Sequence, residues 1–139
     1  MGLEIAYLND NHGLMCVASG EVTGEDFVEA VRQANEFAVK TQSLCYTFFD
    51  CEQLSGISIT VGHLAQAATC AIEAANHTET ERIVAIYASD EYAYRLAIIY
   101  MTFIEQTGWE VWAFRDRGEA ASWLRGRAAL NYGITAEVV

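Results

Sequence analysis

The sequence predicts an α/β domain on a mixed, mostly parallel sheet that opens with an antiparallel hairpin, in the order β-β-α-β-α-β-α-β-α. Three observations predict it. Compact apolar runs at residues 44–49, 83–88 and 109–114 lack polar alternation, the pattern of strands buried on both faces. Amphipathic segments of helical period separate them, most of them opened by a capping residue. Strands that alternate with helices in this way lie parallel, joined by right-handed crossovers, with the helices packed on the sheet.

Taken in order, residues 3–8 and 14–18 are short apolar-biased runs flanking Asn9-Asp10-Asn11-His12-Gly13, a cluster of turn formers that predicts the hairpin. Thr23 stands three residues before Asp26 in the spacing of a capping box, although Asp reaches back less far than Glu or Gln. After it Phe27, Val31, Ala34 and Ala38 recur on one stripe, predicting a first helix of about four turns. The run 44–49 is a strand that Asp50 is expected to end, with a loop beyond. Residues 60–76 form an Ala-rich second helix with Val61, Leu64, Ala65, Ala68 and Ile72 on one side, and small residues there permit close approach to a neighbour. The strand at 83–88 follows, and Asp90 caps a third helix that is apolar nearly all round, so that it must bury more than one face. Gly108 stops it. The strand 109–114 leads to a short helix opened by Asp116 with Glu119 and closed by Gly126. The tail, 131–139, is either a loose segment or one added edge strand.

Composition narrows the function. At 139 residues the chain is of the size of one domain, spanning 1–139, and no repeat, low-complexity tract or linker divides it. Hydrophobic residues make up 53% and charged ones only 19%, which excludes disorder and points to an apolar surface for a partner or an oligomer. A net charge of −11 repels phosphate backbones and anionic bilayers, so neither nucleic acid nor membrane is an expected partner. The start, Met1-Gly2-Leu3-Glu4, lacks a basic segment and an apolar signal core, and the expected location is cytoplasmic. Cys16, Cys45, Cys51 and Cys70 show no CxxC spacing and read as reduced, mostly buried thiols. Proline is absent, so helix starts rely on side-chain caps.

At the level of motifs, Gly20-Glu21-Val22-Thr23-Gly24-Glu25-Asp26-Phe27, Arg82-Ile83-Val84-Ala85-Ile86 with Asp90-Glu91-Tyr92-Ala93-Tyr94-Arg95-Leu96-Ala97, and Trp109-Glu110-Val111-Trp112-Ala113-Phe114-Arg115-Asp116 with Glu119-Ala120-Ala121-Ser122-Trp123-Leu124 follow one another in a fixed order. In that order and spacing the chain resembles the SpoIIAA-like branch of the STAS superfamily, which stands beside SEC14-type domains. The resemblance spans almost the whole chain. It implies a mostly non-catalytic, regulatory module that binds a partner protein, with a phosphorylated Ser or Thr in an Asp-Ser-Ser-Gly-like segment at the start of the helix after the third strand. The corresponding stretch here, from Asp50 to Gly62, contains no such segment, which leaves Ser55, Ser58 and Thr60 as candidates by position alone.

Parallel strands place ligands beyond their carboxyl ends, marked by Asp50, Ser89/Asp90 and Arg115/Asp116. Asp90 and Asp116 also stand where helix N-caps are wanted, and capping is the preferred reading. Cys51 lies between Asp50 and Glu52, whose charges raise a thiol pKa rather than activate it. His12, His63 and His77 lack metal-ligand spacing, so no metal and no cofactor is expected. Response-regulator chemistry wants a lysine at the last strand, and the only lysine is Lys40. No nucleophile elbow, P-loop or dinucleotide fingerprint occurs. Arg115, Arg117, Arg125 and Arg127 hold four of the eight basic residues; solvation and helix-end placement are preferred for them over an anion site. The sequence therefore predicts a non-enzymatic module with partner or ligand candidates Asp50, Cys51, Ser55, Ser58, Thr60, Asp90 and Arg115. The third helix, through Tyr94, Ile98 and Met101, is the candidate surface for a homodimer. The alternative is a SEC14-like carrier of an apolar small molecule, and an enzymatic reading requires Asp50, Asp90 and Arg115 to converge.

Overall fold

The opening turn takes left-handed backbone at Asn9, Asp10 and Asn11 (φ 51°, 52° and 70°), which Asn and Asp tolerate best among residues with a Cβ. It joins β1 (Gly2–Leu8) antiparallel to β2 (Gly13–Thr23). The structure, a computed structural model, describes residues 2–138; Met1 and Val139, the ends of the expected domain 1–139, lie outside the described residues. Gly13 is required by a close approach: a Cβ there would sit 2.1 Å from the Tyr46 ring.

Beyond the hairpin come α1 (Gly24–Thr41), β3 (Tyr46–Ser58), α2 (Val61–Ala75), β4 (Ile83–Tyr87), α3 (Glu91–Phe103), a single 3-10 turn (Glu105–Thr107), β5 (Glu110–Phe114) and α4 (Arg117–Tyr132). The five strands lie in the order β1-β2-β3-β4-β5, with β2 to β5 parallel. This is the element order and the mixed sheet that the sequence predicts. Helices α1, α2 and α3 cover one face, where Val31, Leu64, Ala68, Val84 and Leu96 meet. α4 covers the other, against Tyr46, Phe48, Ile83 and Tyr87.

Side-chain caps start the helices of this proline-free chain. Thr23 and Asp26 close a full reciprocal box at 3.1 Å in both directions, so the shorter Asp side chain suffices. Asp90 accepts from Ala93 N at 3.0 Å and Asp116 from Glu119 N at 2.9 Å, each satisfying an orphan N–H of a first turn.

Three boundaries differ from expectation. β3 does not end at Asp50: it runs eight residues further to Ser58, paired with a β2 that itself continues to Thr23 through Ser19↔Gln53, Gly20↔Leu54, Glu21↔Gly56, Val22↔Ile57 and Thr23↔Ser58. β4 stops pairing at Asp50↔Tyr87, so the two extensions form a two-stranded parallel arm past the end of the central sheet. Register shifts at Val17/Ser19 and Gly20/Glu21 twist it. α4 passes through Gly126 and ends at Tyr132, capped by Gly133 at φ 64°. Its buried stripe of Ala120, Leu124 and Ala128 continues across Gly126, and that tertiary packing outweighs the ~1 kcal/mol cost of an internal glycine. The segment 134–138 is neither loose nor a strand. Ala136 and Val138 are buried, and Asn9 and Tyr46 hold the segment through Thr135 O (2.9 Å) and Glu137 N (3.1 and 3.2 Å).

Candidate functional site

The arm builds the site. Leu54 and Ile57 point from β3's extension toward Ala18 and Val22 of β2, and the first turns of α1, α2 and α3 bring Phe27, Leu64 and Ala93 against them. Between these elements lies a cavity of about 70 Å³, closed below by Phe49, Ile86, Leu96 and Tyr100 and lined almost wholly by carbon. It stands on the helical face at the carboxyl ends of the parallel strands, where open α/β sheets bind ligands. Its size is roughly half that of an apolar cavity that stays dry and accepts benzene, about 150 Å³.

Phe27 organises one wall, packing edge-on to Tyr100 at 5.2 Å and tilted to Phe49 at 6.4 Å. Gly24 and His63 bring α1 and α2 together at the rim: a Cβ on Gly24 would stand 1.9 Å from the imidazole. His63 completes the cap of α2, its Nδ1 accepting from Thr60 N at 3.1 Å and its own N–H donating to Thr60 Oγ1 at 3.2 Å. It is thus a capping histidine of the helix.

The sequence-predicted residues divide between this site and elsewhere. Cys51 lines the cavity, and burial, with Asp50's charge as the smaller cause, pushes its thiol up to about 12. The direction argued from neighbouring carboxylates is right, and burial is the larger cause. Cys16 and Cys45 are buried, whereas Cys51 and Cys70 are only half-buried. Asp50 points to the opposite face, where Arg117 Nε donates to its Oδ2 at 3.0 Å and Glu52 N to its Oδ1 at 3.1 Å. Ser55 and Ser58 are exposed on the arm, and Thr60 caps α2. Asp90 caps α3, and Arg115 pairs with Glu91 at 2.9 Å while lying 4.2 Å over the Tyr94 ring. The structure gives Asp50, Asp90 and Arg115 three separate sets of partners, so they form no shared acid–base constellation. Tyr94, Ile98 and Met101 are half-buried along one stripe of α3. No three His, Cys, Asp or Glu side chains among the described residues are grouped to hold a metal ion, and no described helix is long and apolar enough to cross a membrane.

Sequence reasoning missed most of the lining. Phe27, Leu64 and Leu96 read as ordinary core, and Leu54 and Ile57 fell in an expected loop. The available signal was the all-round apolar α3, whose Ala93, Leu96, Ala97 and Tyr100 all line the space.

No family model and no curated protein matches the chain. Solved structures do. An uncharacterized protein of the DUF3478 family with a SpoIIAA-like fold, from Shewanella loihica PV-4, superposes with a TM-score of 0.52 at 20% identity, over 88% of this chain and 91% of that one. The Bacillus cell fate determinant SpoIIAA in its phosphorylated form superposes with a TM-score of 0.50 at 15% identity, over 88% and 99%. The fold is SpoIIAA-like, as the motif order predicts.

Proposed function

We propose that this SpoIIAA-like chain is a non-catalytic, regulatory module that binds a small apolar ligand between its helical face and the β2/β3 arm. The carrying observation is the cavity of about 70 Å³, lined by carbon and placed at the carboxyl ends of the parallel strands. Its lining supports a binder over an enzyme: the one nucleophile on it, Cys51, is held as a thiol. A ligand seated there touches the arm and three helix starts at once, so occupancy changes the surface that carries Ser55, Ser58 and Thr60. A partner protein reading that surface is the regulatory half of the proposal, and it rests on analogy with the fold. Native mass spectrometry of the chain, with Ala97→Leu as a cavity-filling control, tests the ligand half. A co-purifying small molecule or a saturable apolar probe retained by the wild type and lost in Ala97→Leu is expected; equal retention by both proteins contradicts it.

Self-association is a second reading, favoured by Trp112, which is 55% exposed on the outer edge of β5 and shares a surface groove with Met101 of α3. Light scattering is expected to give a dimer mass that Trp112→Glu halves. A strict monomer at high concentration removes this reading.

A further inference from the structure

Behind the apolar cavity, on the same face of the sheet, lies a second, smaller chamber of about 20 Å³. Phe49 and Tyr100 line both spaces. Ile86 lines the first and Val84 the second; two residues apart on one face of β4, they stand roughly 7 Å from each other.

The chamber's chemistry is unlike that of its neighbour. Arg82, immediately before β4, lines it while only 5% exposed. Among the described residues no carboxylate pairs with it, and its contact is a cation–π stack with Cζ 4.1 Å from the Trp109 ring centroid. Burial pushes the guanidinium down to about 10, which leaves it cationic at neutral pH. Two further groups lining the chamber are orphaned. Thr47 is 2% and Asn35 5% exposed, and Thr47 Oγ1 and Asn35 Oδ1 have no hydrogen-bond partner; the Asn35 amide N–H is committed to Val31 O at 2.8 Å. A buried cation without a counter-charge beside unsatisfied polar atoms is a costly arrangement for a core that serves packing alone. It is the arrangement expected of a site that a ligand completes.

We propose that the ligand is a short-chain carboxylic acid, its apolar tail in the cavity under the arm and its carboxylate in the Arg82 chamber. One carboxylate oxygen accepts from the guanidinium and the other from the Thr47 hydroxyl. Guanidinium carries five N–H donors, enough to serve Asn35 Oδ1 as well once the side chains close on the head group. Phe49 and Tyr100 part to let it pass. The tail is short because the cavity is small, and a hexanoate chain is about as long as the step from Val84 to Ile86 that joins the two spaces.

This inference rests on the apolar-cavity reading, and one titration separates the two. Hexanoate and hexanol are titrated calorimetrically into the full chain and into Arg82→Met and Thr47→Val. Wild type is expected to bind hexanoate about tenfold or more tightly than hexanol, a charge-assisted hydrogen bond being worth that much. Arg82→Met is expected to erase that preference by weakening hexanoate about tenfold, and Thr47→Val to weaken hexanoate a few-fold. Equal binding of the two probes by wild type, or hexanoate binding indifferent to both substitutions, overturns the carboxylate assignment and leaves the apolar cavity standing. Binding of neither probe overturns both.

Discussion

The two faces of the sheet solve the same packing problem differently, and two arginines show how. On the α4 face Tyr46, Phe48 and Leu124 are fully buried, and the buried carboxylate Asp50 meets Arg117 at 3.0 Å. On the three-helix face Phe49 fronts two voids, and Arg82 stands buried with an indole for company and, among the described residues, no paired carboxylate. The α4 face is nearly finished by the chain itself: Arg127 meets Glu110 there, although its Nε is buried without a hydrogen-bond partner. The helical face is less finished, and a protein interior is ordinarily close-packed and satisfied, so the incomplete face is the one to associate with binding.

Adjacent phenylalanines offer the largest contrast. Phe48→Ala on the finished face is expected to cost about 4 kcal/mol, whereas Phe49→Ala, half-buried against existing space, costs about half as much; urea unfolding of the two variants measures the difference. Equal losses would mean that the helical face is as tightly packed as the other. Asp50→Ala follows at about 2 kcal/mol, because it removes a carboxylate that is 7% exposed from both Arg117 and Glu52 N. Arg82→Met should change stability by under about 1 kcal/mol, in either direction, since an uncompensated buried charge replaced by an apolar chain of similar shape is often neutral or stabilising. A loss as large as that of Asp50→Ala would show that Arg82 has a structural partner.

How much of this was legible in sequence follows from how local each signal is. Helix starts were legible because caps are local: Thr23, Asp90 and Asp116 each serve an N–H three residues on. The central strands were legible as unbroken apolar runs. The arm was not, because Gly20-Glu21 and Glu52-Gln53 carry turn and surface chemistry, and only pairing with a segment some thirty residues away makes them strand. The same non-local pairing hid the cavity, whose walls come from seven separate elements. Gly126 misled for a related reason, since the stripe that carries α4 past it is set by β4 and the buried tail. Arg82 stands in the sequence directly after Glu81 and before a five-residue strand that is buried throughout, and that no carboxylate among the described residues pairs with it became visible only in three dimensions.

The smallest effect is alkaline. Cys16 and Cys51, both on the helical face, are pushed from 9.0 up to about 12, burial being the largest cause in each. The folded chain then keeps protons that the unfolded chain releases, so stability falls as pH rises from about 9 toward 12. Iodoacetamide labelling near pH 9 should accordingly be slow in the native protein and fast in urea; rapid native labelling of Cys51 would indicate that the arm opens readily.

Methyl chemical shifts during a hexanol titration test the difference between the faces most directly. Saturable shifts confined to Leu54, Ile57, Leu64 and Leu96, with Ile83 and Leu124 on the α4 face unmoved, are the result expected of a ligand cavity under the arm. Shifts of equal size on both faces, or none at any concentration, would contradict it.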